Sequence, residues 1–297
     1  MPRLKPRGFS LVELLLALTL LAVVAAGLWQ ALDATRRSYS REAERVELER
    51  TLRASAAILP AELRELDAGD SDITAMATTS IRIRATRQLA FLCTVPHRQD
   101  DGALAVTVRQ RPLLGLRQSF SAGDSALLFF EGDPATREDD RWWRGRIRAV
   151  SDDACPDADQ PRPGYRLTVE LPWSSDGPPD LRAVTRGAPL RGFESVAYAV
   201  YRSPADTQWY LGQQVQDETV QPLIGPLIGP AGVAFAFFDS TGAPTSSTVR
   251  VAQIEIRVRG RTARPVRAPG THRLEYESDS LVTRVALRNN PRPSEGP

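Results

Sequence analysis

From Leu14 to Trp29 every residue is apolar or small except Thr19, and no proline occurs from Phe9 to Leu59. The run Leu14–Leu32 approaches the roughly 20 residues that cross a bilayer as a helix. Counting back to Phe9 gives length to spare. Arg3, Lys5 and Arg7 precede it. Basic residues before an apolar span predict a cytoplasmic N-terminus and an exported remainder. The chain carries 38 basic and 36 acidic residues, a formal net charge of +2. Those three N-terminal cations account for the excess, so bulk charge does not point to a nucleic-acid binder. Lys5 is the only lysine.

Glu13 is the anomaly in this run. A carboxylate costs roughly 2.5–3.5 kcal/mol at the centre of a membrane helix, and less near the interface. No basic residue between Phe9 and Asp33 can pair with it. A new α-amino group at Phe9 can, if the Gly8–Phe9 bond is cut.

The stretch Arg7-Gly8-Phe9-Ser10-Leu11-Val12-Glu13 resembles the class III signal of type IV prepilins and type II secretion pseudopilins. That pattern is a basic leader, a glycine, an aromatic, a glutamate four residues on, and an apolar helix. The resemblance implies cleavage between Gly8 and Phe9 by a prepilin peptidase and N-methylation of Phe9. It also implies pairing of Glu13 with the Phe9 ammonium of a neighbouring subunit during assembly. Two rival readings are a secretory signal cut near Val24-Ala25-Ala26, which leaves Glu13 unexplained, and an uncut anchor.

Beyond the apolar run the helical period continues. Leu48, Leu52, Leu59, Leu63 and Leu66 share one face, with Ser55 and Ala56 bridging the long step. Arg45–Glu49 and Glu49–Arg53 are i,i+4 pairs of opposite sign. A helix over 9–59 spans about 75 Å, and Pro60 is expected to break or kink it. Residues 61–67 add a short turn that ends at Gly69.

From Ile73 the period becomes two. Strands are expected at Ile81–Arg84, Leu89–Val95, Leu104–Arg109, Ala126–Glu131, Trp142–Val150, Tyr165–Leu171, Phe193–Arg202, Gln208–Gln213, Val233–Asp239, Val249–Arg259 and Leu281–Leu287. Asp152–Asp180 reads as a surface excursion. The tandem repeat Pro222–Pro230 reads as a stiff extended loop. The expected fold class is α+β, one long helix on an antiparallel sheet. The organisation is a leader at 1–8, an assembly helix at 9–35 and its continuation at 36–68. A β-rich head follows at 69–290, with a variable insertion at 96–185 and a tail at 291–297.

The order Tyr198-x-x-Tyr201-Arg202, Trp209-Tyr210-Leu211, the Gly232–Asp239 run, Val251–Ile256 and Thr283–Asn289 looks like the J-type minor pseudopilins and PilW-like minor pilins. That implies a non-enzymatic subunit that initiates or caps a pilus or pseudopilus, with other pilins and the inner membrane as partners. A tip adhesin or DNA-uptake subunit and a membrane-anchored periplasmic enzyme are the alternatives.

Nothing in the sequence suggests catalysis. G-x-S-x-G, H-E-x-x-H and Walker A runs do not occur. His97 and His272 are the only histidines and read as surface positions. Cys93 and Cys155, 62 positions apart, suit a disulfide in an exported chain, or two small buried hydrophobes. Neither a zinc site nor any other cofactor is expected. Asp152, Asp153, Asp157 and Asp159 read as a solvated acidic loop rather than a Ca²⁺ site. Trp142 and Trp143, flanked by Arg141 and Arg144, should place one ring in the core and one outside. Arg82/Arg84 and Arg257/Arg259 read as a solvated face.

Overall fold

A computed structural model describes residues 10–133, 135–136, 139–156, 160–172, 180–267 and 273–288. Helix α1 (Leu11–Arg64) has 54 residues. A turn through Gly69 leads to β1 (Ile73–Ala77) and β2 (Ser80–Phe91). Next come β3 (His97–Arg98), β4 (Leu104–Arg109), β5 (Ser125–Phe130), β6 (Arg141–Cys155) and β7 (Arg162–Glu170). Then follow β8 (Pro189–Arg202), β9 (Trp209–Val215), β10 (Gln221–Leu227), β11 (Val233–Phe238) and β12 (Gln253–Arg261). β13 (Val266–Arg267), β14 (Leu274–Glu275) and β15 (Ser278–Ala286) complete the set.

Thirteen strands form one antiparallel sheet with the path β11-β12-β10-β9-β8-β5-β6-β7-β4-β3. β2 runs along the other edge of β8, β1 pairs with β2, and β15 pairs with β12. β8 is where the sheet forks. One of its edges is covered by β2, from Pro189 to Ala199. On the other edge, Leu190–Phe193 pair with β5 and Val196–Arg202 pair with β9. The architecture is α+β and pilin-like, a long N-terminal helix on a large antiparallel sheet.

One face of the sheet carries two cores. In the first, Leu48, Leu52, Leu59, Leu63 and Leu66 of the helical stripe are at most 5% exposed. They pack against Ile81, Ile83, Val196, Tyr198, Ile254 and Ile256. At β12 the helix comes so close that a Cβ on Gly260 would lie 2.7 Å from Leu48 Cδ1. In the second core, Val106, Leu128, Ile147, Leu167 and Leu190 are covered by Leu113, Phe120 and Val184 from the connecting segments.

An ionic network joins the two cores. The β2–β8 register shifts between Thr86 and Gln88, and such a bulge re-aims a side chain. Arg87, in that bulge, donates from Nε to Glu194 Oε2 at 2.8 Å and from Nη1 to Glu62 Oε1 of α1 at 3.0 Å. Arg117 also bonds Glu194 and reaches Asp124 at 3.2 Å.

Several expectations need correction. Pro60 does not end the helix, which runs on to Arg64. A helix-interior proline costs about 3 kcal/mol, but Leu63 and Leu66 beyond it are buried and each contributes roughly 1.5–3 kcal/mol. Ile81–Arg84 and Leu89–Val95 are not separate strands, because β2 continues through the bulge and ends at Phe91. β12 starts at Gln253 rather than Val249. Asp152–Asp180 is less irregular than expected, since β6 extends to Cys155 and pairs with β7 from Arg162. There a Cβ on Gly164 would lie 2.9 Å from the Val108 carbonyl and 3.0 Å from Cys155 Sγ. The repeat at Pro222 is strand β10, with Ile224 and Leu227 buried. β10 meets β12 only at Leu227–Gly260, and a strand paired mostly along one side tolerates prolines. Trp142 and Trp143 are both half-buried.

Two stability predictions follow from buried charge. Arg87→Met leaves Glu194 with only the half-exposed Arg117 and takes the cation from Glu62. Breaking one side of a buried pair costs about 3–5 kcal/mol, read as a lower urea midpoint at unchanged slope. Glu62→Gln, at the more exposed end of the network, should cost under about 1.5 kcal/mol. The second concerns Asp72, which is 2% exposed. Burial first, then the charges of Asp70 and Asp67, push its carboxyl up to about 6, against the Asp67 N–H and Arg191. A carboxyl raised on folding binds its proton more tightly in the folded state. Its stabilising effect is complete below about 4 and lost as pH rises through about 6. Relative to Asp72→Asn, the wild type should therefore gain about 2 kcal/mol between pH 7.5 and pH 4.5, measured by denaturation at each pH.

Candidate functional site

The N-terminal half of α1 stands clear of the head. Every large apolar residue from Leu11 to Leu32 is exposed, Leu11 to 77% and Trp29 to 70%. At 1.5 Å per residue this stretch measures about 33 Å, close to the roughly 30 Å of a bilayer's hydrocarbon core. Its polar groups are satisfied locally, as Thr19 Oγ1 donates to the Leu16 carbonyl at 2.9 Å. The ion pair Asp33–Arg37 marks its polar end. Contact with the head begins where Arg41 Nε donates to Glu277 Oε1 at 2.7 Å and Arg264 N donates to Glu44 Oε2 at 3.1 Å.

Ser10 holds the N-cap position in extended backbone. Its N–H donates to Glu13 Oε2 at 3.4 Å. A carboxylate in the first turn complements the helix dipole and one unpaired N–H group. No cationic side chain pairs with Glu13 among the described residues. Gly8 and Phe9, the expected processing residues, lie outside the described residues.

The other residues singled out from sequence do not converge on a site. Cys93 and Cys155 are buried and bonded to each other, with Cα atoms 5.4 Å apart. The bond ties the segment after β2 to the end of β6. His97 is exposed on β3, and His272 lies outside the described residues. Asp153 accepts from Thr107 Oγ1 at 2.9 Å and Arg166 Nε at 3.0 Å. Asp157 and Asp159 are outside the described residues. Among the described residues no group of His, Cys, Asp and Glu is arranged to hold a metal ion. Trp143 packs on the second core and against Phe130, whereas Trp142 lies on the opposite face under the Arg191 guanidinium, 4.2 Å away.

Sequence reading missed the cleft formed by that opposite face. Arg82, Arg144 and Arg146 line it, with Phe193 in its floor. The alternation Arg144-x-Arg146-x-Arg148 was visible, but its register against β2, set through β8 and β5, was not.

Residues 3–29 match the family model of the prokaryotic N-terminal methylation motif, the class III signal of type IV prepilins. The match covers the basic leader, Glu13 and most of the apolar run, and it stops short of the head. No curated protein and no solved structure matches the chain.

Proposed function

We propose that this chain is a minor pilin or pseudopilin, a structural subunit that initiates or caps a type IV pilus or a type II secretion pseudopilus. The observation that carries this reading is the methylation motif at 3–29 leading without a break into an apolar helix its own head leaves uncovered. The subunit is anchored in the inner membrane with its N-terminus cytoplasmic and its head periplasmic. A prepilin peptidase cuts between Gly8 and Phe9, and Phe9 is N-methylated. The helix then moves from lipid into a bundle of neighbouring pilin helices.

Glu13 sets the register of that step. Among the described residues its carboxylate has only the Ser10 N–H. A neighbour's Phe9 ammonium offers a charged partner that lipid cannot supply. The minor role is supported by the order of sequence motifs from Tyr198 to Asn289, which resembles that of J-type and PilW-like subunits, and by a head enlarged by the segment at 96–185. That segment supplies most of the second core.

N-terminal sequencing of protein purified from cells should begin at N-methylated Phe9. A start at Met1, or beyond Ala26, would overturn the proposal. Glu13→Leu should still be inserted and cut at Gly8–Phe9. Its incorporation into sheared filaments should fall well over tenfold, because a broken buried pair costs about 3–5 kcal/mol. Incorporation equal to wild type would remove Glu13 from the register role.

A further inference from the structure

The sheet face opposite α1 carries four arginines that have no carboxylate partner among the described residues. Thr86, Phe193, Ser125 and Arg146 lie in one row across β2, β8, β5 and β6. Residues paired across antiparallel strands share a face, and so do alternate residues along each strand. Arg82, Arg84, Arg144 and Arg146 are therefore all on this side. The β2 and β6 pairs stand three strand spacings apart, about 14 Å. Between them lies a cleft of about 810 Å³.

The guanidinium carbons of Arg84 and Arg144 lie 5.9 Å and 5.6 Å from the Phe193 ring centroid. Two like charges thus converge on one ring. No carboxylate among the described residues comes within ion-pair distance of Arg82, Arg84, Arg144 or Arg146. Arg148 differs, since it bonds both Asp101 and Glu170. Burial first, then the nearby Arg144 charge, lower the Arg84 pKa from its ordinary value, with Asp72 opposing.

We propose that this cleft docks an extended acidic segment of a partner protein, whose carboxylates are held by Arg82, Arg84, Arg144 and Arg146. The guanidinium fork suits bidentate pairing with carboxylates. Side chains two apart on an extended segment repeat every ~6.7 Å, the same spacing as Arg82/Arg84 and Arg144/Arg146 along their strands. One observation favours a peptide over a nucleic acid. The aromatic faces that bases stack on are occupied, Phe193 by Arg84 and Arg144, and Trp142 by Arg191. The inference does not depend on the assembly role of the N-terminal helix.

The test uses the full-length protein in nonionic detergent and a fluorescent peptide of alternating Glu and Val. The peptide should bind, and its Gln–Val counterpart should not. Arg84→Gln/Arg144→Gln should weaken binding about tenfold or more, and Arg82→Gln/Arg146→Gln should do the same. Arg257→Gln/Arg259→Gln removes equal charge from β12 and should leave affinity within about twofold. Absence of peptide binding, or an equal loss in the β12 variant, overturns the proposal. So does oligothymidylate binding as tightly with the same arginine dependence. Melting temperature separates a lost site from a lost fold. If one pair lowers it, the other carries the test. If both unfold the head, these arginines hold the sheet and the docking role fails.

Discussion

Between Leu11 and Leu32, thirteen large apolar side chains are exposed and unpacked by the described residues. Full burial of each is worth about 1.5–3 kcal/mol, so together they outweigh the ~5–15 kcal/mol that keeps a domain folded. Such a helix is covered either by lipid or by other helices. The two are almost equally apolar, so directional polar contacts and close packing must distinguish them. Glu13 is the one carboxylate in this stretch, and among the described residues its carboxylate has a single hydrogen bond, from the Ser10 N–H at 3.4 Å. It therefore has more to gain from an assembled state than any leucine around it.

The head meets the other half of the same helix with a stripe of leucines, and its sheet is larger than one helix can cover. The fork at β8 solves this by giving each arm its own core. α1 covers the β9–β12 arm, and segments between strands cover the β5–β7 arm. At the fork, the Arg87–Glu194–Glu62 network, joined by Arg117 from the β4–β5 connection, links the two. Charged groups at such a junction are costly to bury, but they fix where the helix, β2 and β8 stand relative to one another. That role follows from alternation, which puts Arg87 on the helix side with Ile81, Ile83 and Ala85, while the bulge beside it brings Ala90 and Leu92 to the same side.

Much of this was legible in residues alone. The apolar run, the position of Glu13, the leucine stripe and most strands follow from period and composition, because each is a local property. The failures have one cause in common: a tertiary contact overrode a local rule. Pro60 stays helical because Leu59 and Leu63 on either side of it are both buried. The Pro222 repeat becomes β10 because Ile224 and Leu227 have a core to enter. Asp152–Cys155 stays extended because Tyr165, Gly164 and Arg162 are aligned opposite. The Arg87–Glu194 pair spans 107 positions, and no pattern along the chain announces a contact at that separation.

Alternation in β2 also connects the two halves of the functional reading. Ile81, Ile83 and Ala85 turn inward beneath α1, so Arg82 and Arg84 must turn the other way. In β6, Gly145 and Ile147 are buried while Arg144 and Arg146 are exposed. A single register slip would exchange these sets, placing arginine in the core and isoleucine in water. The packing that fixes the helix on one face therefore also fixes the arginine cleft on the other. A subunit held in a bundle through α1 would keep that second face free, since none of the four arginines lies on the side the helix covers.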